Sequence, residues 1–264
     1  MTSGGWAQCV MLRESYVLLE GDCLRILRDV PDHTVDLVLA DPPYGTTGYP
    51  WDAVINVEGM WRELKRVLKP TGVIVLWGKQ PFSSVLVNSN LKMFQLPLVW
   101  NKNAPSNHMQ ARRRPLQIHE DILVFYNTVN PTYNPQMTEG HPPYVPRRKR
   151  ANSSYHWKNS KPYKPMNVGV AVTTRYPTSV IEFPRVSAKG RLHKTQKPVE
   201  LAEWLIKTWS NEGDIVLDFC MGSGTTGVAA MNTKRVFFGC ELDPVHFSNA
   251  EARVSAAWRA SCTQ

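Results

Sequence analysis

Two segments of this chain place reactive residue types at spacings that chemistry can use. The first is Asp41-Pro42-Pro43-Tyr44, which closes the apolar run Val35–Ala40. Two prolines fix the backbone and offer carbonyls with no N–H beside them. A carboxylate precedes this rigid pair and a phenol follows it. The predicted result is a stiff shelf of acceptors beside an aromatic face. It suits a planar substrate bearing an NH₂ group. The Asp41 carboxylate and the Pro42 carbonyl can each accept one amino hydrogen while Tyr44 stacks on the ring. A flipped-out adenine or cytosine fits that description.

The second segment is Gly222-Ser223-Gly224-Thr225-Thr226-Gly227, a G-x-G-x-x-G run with Glu241 further on. It follows a predicted strand and opens a predicted helix, the context of a nucleotide-binding turn. The glycines let the backbone approach a ligand, and an acid at the end of the next strand can accept hydrogen bonds from ribose hydroxyls. Asp218, just before the loop, would repel a pyrophosphate and attract an ammonium group. S-adenosylmethionine carries adenosine and an ammonium group and has no phosphate, so it fits better than a dinucleotide. No cluster of His, Cys and Asp has the spacing of a metal site, and none of the five cysteines stands convincingly on a loop near a proline as a covalent nucleophile would.

These segments need elements to position them. Strands are predicted at Tyr16–Glu20, Val35–Ala40, 73–77, 96–100, 122–126, 214–219 and 235–240. Helical spacing covers 23–30, 60–68, 81–91, Val199–Trp209, 225–231 and 244–260. The alternation predicts a mostly parallel sheet covered on both faces. Only 23 residues follow Glu241. That is too few to complete such a sheet, so strands from the N-terminal part must close it. The glycine loop and the shelf then meet at the carboxyl edge of the strands, where ligands of open α/β sheets bind.

With 264 residues, 42% of them hydrophobic, the chain can bury a full core. No apolar run approaches the roughly 20 residues of a membrane helix. The first residues lack the pattern of a signal peptide, and the five cysteines include no C-x-x-C pair; a cytoplasmic protein without disulfides is expected. The formal charge of +9 and a pI near 9.4 point to a polyanionic partner. Residues 128–178 are rich in Pro, Asn, Tyr, Ser and basic residues and poor in aliphatic ones, which predicts an insertion of loops. From 128 to 200 there are 13 Lys and Arg against three acids. The basic runs Arg112-Arg113-Arg114 and Arg147-Arg148-Lys149-Arg150 are candidate phosphate contacts. Tyr155, His156 and Trp157 beside Lys158 are candidates for base stacking, and Trp51 and Asp52 for a loop closing on the base. His119-Glu120, before a predicted strand, reads as a structural hydrogen-bonding pair.

Taken together, the chain resembles the permuted β group of DNA amino-methyltransferases, most of all the adenine-N6 enzymes. The resemblance rests on Glu20-Gly21-Asp22-Cys23, Leu39-Ala40-Asp41-Pro42-Pro43-Tyr44, His193-Lys194-Thr195-Gln196-Lys197-Pro198, the segment from Asp218 to Thr226, and Glu241, in that order. It implies a circularly permuted Rossmann-like sheet dependent on S-adenosylmethionine, with an inserted target-recognition region. The catalytic domain would comprise residues 1–127 and 179–264, and the recognition insertion 128–178. Asp41, Pro42, Pro43 and Tyr44 would be catalytic. Asp22, Cys23, Lys197, Asp218, Gly222, Ser223, Gly224, Thr225 and Glu241 would hold the cofactor, with Lys197 at its carboxylate. The implied partner is double-stranded DNA, in a bacterial or phage setting. A homodimer and a restriction endonuclease on a separate chain are further partners left open. Asp at the first shelf position leans to adenine. N4-cytosine methylation, methylation of an RNA or protein amine, and a catalytically idle DNA-binding module are the competing readings.

Overall fold

The computed structural model describes residues 15–45, 55–145, 170–187 and 196–263. Strands form where aliphatic and β-branched residues run together. Every residue of β2 (Val35–Ala40) is buried except Asp36, as in a strand covered on both faces. Helices begin where a side chain can cap them. Asn56 accepts from Gly59 N at 2.8 Å to open α2 (Val57–Val67), and Asp243 accepts from Val245 N and His246 N to open α6 (Pro244–Ser261). Between these lie β3 (Leu68–Gly78), α3 (Phe82–Ser89), β4 (Phe94–Ser106), β5 (Gln117–Phe125), β6 (Val180–Glu182), α4 (Val199–Trp209), β7 (Ile215–Asp218), α5 (Thr225–Asn232) and β8 (Val236–Glu241). Ahead of β2 come β1 (Tyr16–Glu20) and the short α1 (Cys23–Ile26). The helix expected over 23–30 is a single α-turn capped by Asp22 that tightens into a 3₁₀ turn at Leu27–Asp29.

Among the described residues, eight strands run in the order β1-β8-β7-β2-β3-β5-β4-β6. From β1 to β3 all neighbours are parallel; β5 is antiparallel to both β3 and β4, and β6 is parallel to β4. The first strand among the described residues therefore pairs with the last, Tyr16 opposite Phe237, so that segments from the two halves of the chain close the sheet. The strands leading into the shelf and the glycine loop, β2 and β7, are direct neighbours, with Leu37 opposite Val216. Asp36, the one polar residue of β2, ties three strands together: it accepts from Lys69 Nζ at 2.7 and 2.8 Å and from Ile215 N at 2.9 Å.

Two cores flank the sheet. One face packs α4, α5 and α6 against Leu39, Val75, Trp77, Trp100 and Ile122; the other packs α1, α2 and α3 against Val38, Ala40, Ile74, Leu76 and Phe125. The edge strand β6 was not expected from the sequence, because three residues with one buried side chain, Ile181, carry no period. The described part of the segment 128–178 is held by two isolated bridges, Thr138 to Arg175 and Tyr144 to Val172. Asn134 docks it onto the end of α4: its N–H donates to Thr208 O at 2.7 Å, and its side-chain amide donates to Ser210 O at 3.0 Å and Lys207 O at 3.3 Å. No helix among the described residues is long and apolar enough to cross a membrane.

Candidate active site

Leaving β2, the chain turns into Asp41-Pro42-Pro43-Tyr44, with Pro42 buried and Asp41, Pro43 and Tyr44 half-buried. Tyr44 donates its hydroxyl to Asp41 Oδ1, and the ammonium of Lys197 sits 2.7 Å from Asp41 Oδ2. One side of the Tyr44 ring packs on Phe82, with ring centres 5.3 Å apart. Lys197 stands two residues before α4 and lies over the Trp77 ring at 5.8 Å. Its ammonium also faces Glu120 Oε2 at 3.2 Å, while Lys102 holds Glu120 Oε1 at 3.1 Å. Four alternating charges, Lys102, Glu120, Lys197 and Asp41, thus run from β4 to the shelf.

Burial raises the Asp41 carboxyl above the ordinary range. Lys197 and the Tyr44 hydroxyl oppose that rise, and Glu120 adds to it. For Glu120 burial also acts upward, but Lys197 and Lys102 outweigh it and hold the carboxyl below its usual value. Burial alone would lower Lys197, yet the two carboxylates raise it, so its ammonium stays charged. Burial and then the Asp41 charge keep the Tyr44 phenol protonated.

The glycine loop lies beside this shelf. Asp218 is buried at the end of β7 and accepts from Cys220 N at 3.1 Å. Burial pushes its carboxyl up to about 7; Thr226 and the Cys220 amide oppose the rise, while Asp41 and Glu241 add to it. Glu241 is clasped by backbone amides: Gly222 N donates to Oε2 at 2.8 Å, and Leu242 N and Asp243 N donate to Oε1 at 2.9 and 3.0 Å. Gly21 N donates to Glu241 O at 2.8 Å, which brings the Asp22 turn to the same place. The Asp22 side chain caps α1 through Arg25 N at 2.9 Å.

The two leading glycines have different work. Gly222, at φ +51°, has open space where a side chain would be, whereas a Cβ on Gly224 would lie 2.9 Å from Ala250 of α6. Gly224 therefore serves the packing of the α5 start against α6. Ser223 and Thr225 are buried and face Arg253 of α6, which donates to the Ser223 carbonyl and hydroxyl and reaches Thr225 Oγ1 at 3.5 Å. Burial raises the Cys23 thiol to about 12, with Asp22 adding to the rise, and lifts those of Cys220 and Cys240 well above the usual value. These thiols stay protonated and are poor nucleophiles.

Asp41, Asp218 and Glu241 are close enough for Asp218 to feel both other charges. Such a concentration of carboxylates favours a cation. With the open backbone at Gly222 and the amide-held Glu241, the residues present fit a cationic nucleoside such as S-adenosylmethionine. Among the described residues no group of three or more His, Cys, Asp or Glu could hold a metal ion.

Arg112, Arg113 and Arg114 are exposed in the turn between β4 and β5. Asp121 of β5 stands opposite Gly78 at the end of β3, so the rest of this hairpin runs past the carboxyl edge on which the site is built. Arg147, Arg148, Lys149 and Arg150 lie outside the described residues, as do Tyr155 to Lys158, Trp51 and Asp52.

Three partners of the site went unread in the sequence: Glu120, Lys102 and Phe82. His119 and Glu120 are not a hydrogen-bonding pair. Adjacent strand residues point to opposite faces, and His119 is exposed while Glu120 joins Lys102 and Lys197. A signal was present. Lys102 continues the buried phase of Leu98 and Trp100, and Glu120 that of Ile122 and Val124. A charge in the inward phase of a strand requires a partner. Lys197, expected at the cofactor carboxylate, has its ammonium between the carboxylates of Asp41 and Glu120.

Residues 35–252 match the family described as DNA methylase. The chain is 29% identical to the DNA adenine methyltransferase YhdJ of Escherichia coli, over 92% of this chain and 84% of that protein. It is 25% identical to the type II methyltransferase M.HinfI of Haemophilus influenzae, over 90% of this chain and 67% of the other. Two solved structures share the fold. The complex of M1.HpyAVI with S-adenosylmethionine superposes at a TM-score of 0.60 with 23% identity, over 90% of this chain and 99% of the other. The cytosine-N4-specific PvuII DNA methyltransferase superposes at 0.66 with 14% identity, over 95% and 93%.

Proposed function

The chain belongs to the DNA methylase family, and from that premise we propose that it methylates the N6 amine of an adenine flipped out of duplex DNA. The observation that carries the reading is the Asp41 carboxylate, fixed at the end of β2 by Lys197 and Tyr44 beside the acids of the glycine loop. S-adenosylmethionine, when bound, supplies the methyl group; Glu241, Asp218 and the open backbone at Gly222 would hold it, with Asp22 and Cys23 at the adjoining turn.

An exocyclic amine is a poor nucleophile because its lone pair is delocalised into the ring. Hydrogen bonds from its two N–H groups to Asp41 and to the Pro42 carbonyl favour a more tetrahedral nitrogen with its lone pair available. The base stacks against the Tyr44 ring, which Phe82 supports. Most of the acceleration then comes from positioning and from acceptors fixed in advance. The amine proton becomes strongly acidic as the nitrogen is alkylated, so Asp41 need not be a potent base to receive it.

Adenine is favoured over cytosine by the Asp at position 41, by the likeness to YhdJ and by the length shared with it. The basic residues Arg112 to Arg114 and Arg147 to Arg150 would grip the DNA backbone, and the segment 128–178 would read the target sequence. The same reading places the protein in a bacterial cytoplasm; M.HinfI, a type II enzyme by name, lends support to a restriction endonuclease on a separate chain. The test is to express the protein in a host free of DNA methylation and digest its DNA to nucleosides. N6-methyladenine is the expected product by mass spectrometry; N4-methylcytosine in its place would overturn the choice of base, and unmodified DNA the activity itself.

A further inference from the structure

Glu120 does not belong to the shelf or to the glycine loop, yet it shares Lys197 with Asp41. It sits on β5, two strands away from β2 in the sheet order. Its buried Oε2 has the Lys197 ammonium at 3.2 Å and no other hydrogen-bond donor among the described residues, and Lys102 secures Oε1 at 3.1 Å. Trp77 and Trp100 are part of the buried wall on the same face. In such surroundings an apolar trio would pack at least as well, because buried ion pairs seldom repay their desolvation.

We infer that Glu120 is a positioning residue for methyl transfer, drawing on the Lys197 ammonium so that Asp41 is held in place while remaining a hydrogen-bond acceptor for the target amine. This rests on the function proposed above. Lys197 paired with Asp41 alone would commit a full positive charge to that carboxylate. The charge would fix its geometry, but it would also compete with the amine's N–H groups for the same lone pairs. Glu120 divides the ammonium between two carboxylates. Lys102, on the far side, keeps Glu120 from drifting toward Asp41 and keeps the set of four charges neutral.

Among the described residues, the groups facing Asp41 and Glu120 come from five places. Lys197 comes from the approach to α4, Glu120 from β5, Lys102 from β4, Tyr44 from the shelf, and Asp218 and Cys220 from the end of β7. Substituting the two outer members should move Asp41 in opposite directions. Removing the negative charge in Glu120→Gln stabilises the ionised Asp41 carboxylate and lowers its titration midpoint. Removing the positive charge in Lys102→Met raises it.

The experiment follows single-turnover methylation of duplex DNA against pH, together with the Asp41 carboxyl titration by carbon NMR and the binding of S-adenosylmethionine by calorimetry. In Glu120→Gln the plateau rate should fall on the order of tenfold, the acid limb should move to lower pH, and cofactor affinity should hold. In Lys102→Met the limb should move to higher pH. A purely structural ion pair would lower thermal stability and leave both limbs where they are. Limbs and NMR midpoints that stay put, or that shift the same way in both variants, would overturn the inference, as would a loss confined to cofactor affinity. Should the wild-type protein transfer no methyl group to DNA, the proposed function fails, and the two NMR midpoints still decide whether Glu120 and Lys102 set the charge on Asp41.

Discussion

Replacing Asp218 by Asn should change how stability depends on pH, by an amount set by the burial of this one carboxylate. Asp218 is 3% exposed, and its carboxyl is pushed from 3.8 up to about 7. Between those values the folded protein keeps a proton that the unfolded chain has lost. Where the native state binds the extra proton, stability falls as pH rises, by about 1.4 kcal/mol for each pH unit. Across the window from about 4 to about 7 that amounts to about 4 kcal/mol, with no further loss from this group at higher pH. Asparagine keeps an oxygen for the Cys220 amide and has no charge to bury. The variant should therefore gain on the wild type as pH rises through this window, and the gap should level off above it. Urea unfolding at half-unit steps from pH 4.5 to 8.5 measures the difference directly, and titrating groups that are not coupled to Asp218, as Asp41 and Glu241 are, cancel in the subtraction. S-Adenosylmethionine should stabilise the wild type far more than the variant, since its ammonium would offset the buried charge. Parallel stability curves for the two proteins would refute the argument that Asp218 is a carboxylate kept costly for the sake of a cationic ligand.

Asp41→Ala should lose on the order of 10²-fold or more in turnover, while calorimetry still registers S-adenosylmethionine binding; near-normal turnover would remove Asp41 from the chemistry. Gly224→Ala places a Cβ 2.9 Å from Ala250 at a backbone φ of +75°, and should cost about 2 kcal/mol or more in denaturant unfolding. Substituting Arg112, Arg113 and Arg114, or Arg147, Arg148, Lys149 and Arg150, by Ala should weaken binding to specific and random duplexes alike and flatten the dependence of binding on salt. If discrimination between sequences is lost at an unchanged salt slope, these residues read bases instead of phosphates.

What the sequence determined by itself was local. The rigid Pro42-Pro43 pair between an acid and a phenol, the glycine turn after an aliphatic run, and the buried run Val35–Ala40 are each readable because neighbours along the chain create them. The helix Val199–Trp209 was legible for the same reason, with its apolar period intact and Pro198 before it. Sheet closure by both ends of the chain was an expectation that the pairing of β1 with β8 bears out. Tertiary structure alone decided what depends on strand order. The antiparallel β5 and β4 bring residues 120 and 102 to a lysine that precedes α4, and through it to Asp41. No local pattern joins those positions, because an ion pair depends on distance in space and on burial. The two glycines of one motif also part company only in three dimensions: at Gly224 the neighbour is Ala250 of α6, while at Gly222 there is open space for a ligand.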